Sequence, residues 1–464
     1  MKKSSTNTVI PSDTRFGYRK KPILGTAAAV AAKSFKTPVY GQNQAPSPGR
    51  VIGANDRIVV GFIGVDRGCG GFGLAHVNSQ KEYAGSNNIA LAAVCDFSEH
   101  HVARAQKMIG GDCKVYTDHR KLLENRDIDA VSIATPDHWH ADCGIDAADA
   151  GKHVYGEIPL TRYLPEAFAL ADAVNRNRCV FQIGASICSD ATWHKAAELV
   201  KAGKLGRVIY AQDSYCRNAP KGEWNYELEA WAAQPGAVDW DRWQGKVHTR
   251  IPFDPEVYFR WNKYYRYSAG TLGRLAPLRL HPLMLATGLP EFPSRVVALG
   301  NNPVHTDKNL AGAQEREVPE QIEMLAEFPS GLHLLVTTGT VNWNGLPSLI
   351  CGHKARLEMG VDSVNLVPQR EFSKEIGPEN FHDLRPSGQK MPELEKNWFD
   401  CIRSGRQPIG NIELALRVQT VISLAEMSHR LNVTCLFDEQ TRKITTGPNG
   451  RLLEPITYGS LENS

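Results

Sequence analysis

Residues 58–73 read IVVGFIGVDRGCGGFG, an apolar run that stops in a cluster of glycines. Val59, Val60, Phe62, Ile63 and Val65 are β-branched or aromatic and nearly uninterrupted, which predicts a central parallel strand covered on both faces. Glycines past such a strand let the backbone approach a pyrophosphate, whose charge suits the start of the following helix. In the register set by the strand end, the glycine positions of a dinucleotide turn fall on Gly64, Asp66 and Cys69. A literal G-x-G-x-x-G comes later, at Gly68, Gly70 and Gly73. Asp66 brings a negative charge toward the pyrophosphate, and a Gly-rich surface loop is the alternative reading. A second apolar run, Ile89 to Val94, ends at Cys95-Asp96, where a carboxylate can accept from a ribose hydroxyl.

Outward from this stretch, strands alternate with helical segments. His101 to Ile109 is amphipathic, and Asp118 caps a short helix to Asn125. Ala130 to Ala134 is a buried strand ending in TPDHWH (135–140). A helix over 141–150 closes on Gly151, and His153 to Tyr155 is the next strand. Helix 164–177 then leads to a strand at 180–184. Such alternation predicts an α/β, doubly wound, Rossmann-type parallel sheet. Ligands meet these sheets at the strand ends, which are Thr135 to His140, Glu157 to Pro159 and Gln182 to Ser186.

After Ser186 the texture changes. A helix at 192–202 precedes a strand at 208–214, then a section with Trp224, Tyr226, Trp231, Trp240, Trp243, Tyr258, Trp261, Tyr264, Tyr265 and Tyr267. Aromatics in such number can stack on sugar rings, though core packing is their commoner use. Strands at 295–299, 321–328 and 332–340 predict an open, largely antiparallel sheet in a C-terminal α+β domain, and Leu414 to Leu431 a terminal helix. The expected division is a leader over 1–50, a dinucleotide domain over 51–186 and a substrate and oligomerisation domain over 187–464.

A chain of 464 residues has room for two substantial cores. Net charge is only +3, with no concentrated basic tract beyond the N-terminus, which argues against nucleic acid as a partner. The ten cysteines form no C-x-x-C pair, so neither a zinc site nor a disulfide framework is expected, and no metal ligand set is assigned. Arg19-Lys20-Lys21 ahead of a short Ala-rich apolar stretch has the layout of a degenerate twin-arginine export leader, the alternative being a basic tail. No run of about 18 apolar residues follows to span a membrane.

Together these pieces resemble the Gfo/Idh/MocA family of nicotinamide-dependent sugar oxidoreductases. The carrying residues are GFIGV (61–65), Asp96, TPDHWH (135–140), GKHVYGEIP (151–159), LVKAGKLG (199–206) and FDCIRSGRQP (399–408). The resemblance implies NAD held by Gly64, Asp96, Thr135, Pro136, His138, His140, Glu157 and Gln182, with Asp96 disfavouring the 2′-phosphate of NADP. It implies a carbohydrate substrate and a homo-oligomer formed through the open sheet. The family's Glu-Lys-Pro lysine is here Ile158, and its Asp and His four residues apart become Arg274 and Leu278 within SAGTLGRLAPLRLHP (268–282). A leucine or isoleucine relays no proton. His281, Tyr265 and Lys263 are the candidate stand-ins. His281 shares a helical face with Leu278 if the segment is helical, or else ties that helix down through one hydrogen bond. Three functions remain open: sugar oxidation, glycoside cleavage through transient oxidation, and sugar binding without chemistry.

Overall fold

The computed structural model describes residues 57–66, 72–234, 236–288, 291–384 and 390–461, all within one compact unit. The expected leader, Gly68 and Gly70 lie outside the described residues.

The first sheet contains β1 (Ile58–Ile63), β2 (Ile89–Cys95), β3 (Lys114–Tyr116), β4 (Ala130–Ile133), β5 (His153–Gly156) and β6 (Phe181–Ile183). All pairings are parallel, in the order β3-β2-β1-β4-β5-β6. That order reverses between β1 and β4, which opens a crevice at their carboxyl ends. The connecting helices are α1 (Gly73–Tyr83), α2 (Glu99–Ile109), α3 (His119–Leu123), α4 (Asp137–Asp149) and α5 (Leu164–Asn177). Local chemistry sets their ends. The Asp118 side chain accepts from the Arg120 N–H to start α3, and Glu166 accepts from the Tyr163 N–H to start α5. Helix α4 begins at Asp137, four residues before the expected start. Pro136 precedes it and a carboxylate on its first turn suits the helix dipole, so DHWH is helix rather than loop.

Beyond α6 (Ala191–Lys201) and β7 (Val208–Cys216), the aromatic section carries three short helices, α7 (Trp240–Trp243), α8 (Pro255–Phe259) and α9 (Thr271–Arg274). Helix α10 (Pro277–Thr287) follows. The second sheet adds β8 (Arg295–Asn301), β9 (Gln321–Glu327), β10 (His333–Gly339), β11 (Leu349–Gly352), β12 (Ala355–Met359), β13 (Val364–Pro368), β14 (Glu379–Phe381), β15 (Cys435–Asp438), β16 (Lys443–Thr445) and β17 (Leu452–Leu453). Its order is β14-β13-β12-β11-β7-β10-β9-β8-β15-β16-β17, antiparallel except between β7 and β10. Burial alternates along β8 and β9: Val296, Ala298, Ile322 and Met324 face helices, while Val297, Leu299 and Leu325 are exposed on the open face. Helices α10 and α12 (Ile412–Leu431) cover the inner face. The Asn411 side chain accepts from the Glu413 and Leu414 N–H groups to start α12.

Helix α11 (Lys390–Ser404) returns to the first sheet, burying Leu394, Trp398, Phe399 and Ile402 among Val60, Phe62, Val94 and Tyr155. The described cysteines are thiols, all but Cys216 buried. Among the described residues, no helix is long and apolar enough to cross a membrane.

Candidate functional site

Two glycines shape the turn after β1. Gly64 has φ +79°, and a Cβ there would lie 2.7 Å from the Thr135 nitrogen; at Gly73, the first residue of α1, it would lie 2.0 Å from the Gly64 oxygen. Gly64 makes the tight turn and Gly73 brings helix against strand, with a longer loop between them than in a compact fingerprint.

Asp96 sits at the end of β2. Its Oδ2 accepts from the Val65 N–H (2.9 Å) and its Oδ1 from the Ser98 N–H (3.0 Å), facing His101 Nδ1 at 3.4 Å. The other ring nitrogen of His101 is 3.2 Å from Asp66 Oδ1. Burial opposes a charge on His101, but Asp96 and Asp66 outweigh it and raise the group to about 9. Burial likewise pushes Asp96 upward, and His101 with the two N–H groups holds it below the usual carboxylate range. A single imidazolium thus stands between the Asp66 and Asp96 carboxylates.

Gly64, Asp66, Asp96, Thr135 and Pro136 line one narrow cavity, of about 40 Å³, walled by Phe97, Trp243, Tyr258 and Trp261. The positive φ at Gly64, the carboxylate at the β2 end and the aromatic walls fit a dinucleotide. These four cofactor candidates, Gly64, Asp96, Thr135 and Pro136, come together; the others do not join them here. His138 Nε2–H donates to the Trp243 carbonyl at 2.7 Å, beside Trp139 Nε1–H at 2.8 Å. Burial drops His138 to about 3, so it is neutral. His140 lies between the Pro159 and Thr135 carbonyls, at 2.7 and 2.9 Å. Both histidines brace the backbone. Gln182 is buried and donates to the Ile183 carbonyl.

A second cavity, of about 390 Å³, is lined by Glu157, Ile158, Tyr215, Arg217, Trp224, Tyr226, Arg274 and Leu278, among others. Ile158, Arg274 and Leu278 thus line the same cavity. Arg274 donates to the Ile158 carbonyl at 2.8 Å, lies 3.5 Å from Asp137 and stacks over Trp261, a wall of the first cavity. Most other aromatics of this section, including Trp240, Trp243, Tyr258 and Tyr267, form a core of their own.

The three stand-ins lie elsewhere. His281 is buried in α10, its Nδ1–H donating to the Pro277 carbonyl at 2.8 Å, and burial drops it to about 4. Lys263 is fully buried against Glu256, Asn225 and the Gln314 carbonyl. Tyr265 lines a different hollow, beneath Arg430. None of the three reaches the second cavity, because the segment that carries them packs inward around its own core.

Sequence reading missed His76 and Glu395. Glu157 Oε1 is 2.8 Å from His76 Nε2, whose Nδ1 is 2.7 Å from Glu395 Oε1. Burial opposes charge on His76, but bonds to both carboxylates raise it to about 10. The one available signal was a histidine on the same helical turn as Gly73.

The NAD-binding Rossmann-fold domain of the Gfo/Idh/MocA oxidoreductase family matches residues 58–185, and that family's C-terminal alpha/beta domain matches residues 244–434. A glycosyl hydrolase family 109 protein from a Shewanella species is 30% identical over 164 residues, 34% of this chain and 34% of that protein. An alpha-N-acetylgalactosaminidase from Shewanella oneidensis matches to the same extent. The chain thus spans about a third of the length of these curated relatives. An oxidoreductase domain protein from Kribbella flavida superimposes with a TM-score of 0.64 at 20% identity, covering 82% of this chain and 100% of that one. Levoglucosan dehydrogenase in complex with NADH gives 0.62 at 18% identity, covering 82% and 98%. These likenesses concern the fold. With both of the family's domains present in order, the chain belongs to the Gfo/Idh/MocA oxidoreductase family.

Proposed function

We propose that this chain is an NAD-dependent oxidoreductase that moves a hydride at a ring hydroxyl of a sugar or sugar derivative. The observation that carries the reading is the nearness of the two cavities, with Arg274 lining the second and stacked on Trp261, which walls the first. Nicotinamide, when bound, supplies the hydride acceptor. Gly64, Asp96, Thr135 and Pro136 would hold the dinucleotide, and the carboxylate of Asp96 would disfavour a 2′-phosphate. Trp224, Tyr226 and Tyr215 offer faces for a sugar ring. Arg274 places positive charge beside Ile158 where the family keeps a lysine, although a guanidinium accepts no proton. Calorimetric titration of NAD and NADP is expected to show the tighter binding for NAD; tighter NADP, or neither, would overturn the reading. Absorbance of NADH formed on a panel of hexoses, hexuronates and acetamido sugars then identifies the substrate.

A second reading, glycoside cleavage through transient oxidation, is supported by the names of the curated relatives. Release of nitrophenol from nitrophenyl glycosides with NAD bound, and no net NADH, would favour it over simple oxidation.

A further inference from the structure

Among the described residues lining the second cavity, Glu157 supplies the carboxylate, which when ionised accepts a proton without first losing one. The guanidinium groups of Arg217 and Arg274 do not release theirs, and a phenol does so only in alkaline solution. Glu157 is also the cavity end of a buried chain of three groups. Glu395 Oε1 meets His76 Nδ1 at 2.7 Å, and His76 Nε2 meets Glu157 Oε1 at 2.8 Å, with His76 and Glu395 wholly buried. Ser79, Gln80 and Tyr83 of α1 donate to Glu395 and fix the far end. Oε2 of Glu157 accepts the Ile158 N–H at 3.2 Å and keeps a lone pair. A Cβ on residue 184 would lie 2.5 Å from Glu157 Oε1, so Gly184 is what leaves room for the carboxylate.

We infer that Glu157 is the catalytic proton acceptor of this site, in place of the family's absent groups, and that His76 and Glu395 are positioning residues that orient it. The inference rests on the reading of the site as one of hydroxyl oxidation. The substrate O–H bond breaks, its proton bonds to Glu157 Oε2, and the bonding pair stays on oxygen. As the adjacent carbon loses hydride to the oxidised nicotinamide, that pair closes the carbonyl. The proton then passes to water at the cavity mouth.

Both neighbours act on the basicity of Glu157. The titratable and charged groups around the chain are His76 and Tyr83 of α1, Tyr155 of β5, Glu395 of α11 and, across the cavity, Arg274 of α9. Removing the imidazolium leaves Glu157 near Glu395 with no cation between them, which makes it harder to ionise. The full-length chain loaded with NAD is assayed on its best sugar as parent, Glu157→Gln and His76→Gln, with NADH binding followed by fluorescence in each.

The expected result is that Glu157→Gln binds NADH within a few-fold of the parent while its kcat falls by about a hundred-fold or more. For His76→Gln, the acid limb of kcat/KM is expected to rise by about one pH unit. Should His76→Gln fail to fold, Glu157→Gln decides alone. A Glu157→Gln protein as fast as the parent, or an acid limb unmoved in folded His76→Gln, overturns the inference and leaves the oxidoreductase reading standing. A parent that binds NADH but oxidises no sugar of the panel overturns both.

Discussion

His101 holds together two carboxylates that the sequence places 30 residues apart, Asp66 and Asp96. A histidine raised to about 9 in the folded chain contributes stability that is full below its ordinary value, near 6.5, and is lost as pH rises through about 9. His101→Gln should therefore cost roughly 3 kcal/mol at pH 6–7. The gap from the parent should close by about pH 10, where the parent has lost the same charge. Urea midpoints across that range test this, and a constant gap would mean the imidazolium charge contributes nothing. At this scale the sequence showed half of the arrangement. Asp66 and Asp96 were visible from the register of the apolar runs, whereas His101 read as one face of an amphipathic helix. His76 and Glu395 were further out of reach, because 319 residues separate two groups that share one proton.

Strands β1, β2, β4 and β5 could be read directly because a strand covered on both faces must be a nearly continuous apolar run. Three-residue β3 has no such run; Lys114 and Val115 are exposed at the sheet edge. Helix α11 was not read from the sequence, where only FDCIRSGRQP (399–408) was singled out; an apolar face records that a helix packs without recording on what. Its anchor is Trp398, wholly buried, edge-on to Tyr155 at 5.7 Å and donating to the Val180 carbonyl at 3.3 Å. Trp398→Ala is expected to cost about 3–5 kcal/mol, through the cavity and the lost transfer of the ring. Since α11 also carries Glu395, the same change should disturb the far end of the proton chain. Chemical denaturation measures the first effect and the pH profile of turnover the second. A loss under about 1 kcal/mol would show that α11 is not held by this ring.

At the scale of the whole molecule, the two sheets are tied by contacts that no local pattern encodes. His138 and Trp139 of α4 clasp the Trp243 carbonyl, Asp239 donates its N–H to the Phe97 carbonyl, and Gly245 packs on Trp139. The deepest tie is Arg162, in the loop that follows Glu157 and Ile158. Its two terminal nitrogens each meet a Glu426 oxygen of α12 at 2.7 Å, and its Nε–H donates to the Tyr265 carbonyl. Burial pushes Glu426 upward, but Arg162 and Arg430 hold it below the usual carboxylate range. Its contribution is accordingly present above about pH 4.3 and lost as acid titrates it below that. Breaking such a pair from one side leaves the buried Glu426 with Arg430 as its remaining cation, at 3.1 Å. Arg162→Met alone should cost about 3–5 kcal/mol, whereas Arg162→Met with Glu426→Leu removes both charges and should recover much of that loss. Urea denaturation of the single and double variants at pH 7 measures the difference. If the double variant is no more stable than Arg162→Met, the pair holds the two layers by more than the avoidance of an unpaired charge, and the bonds to the Tyr265 carbonyl become the tie to examine.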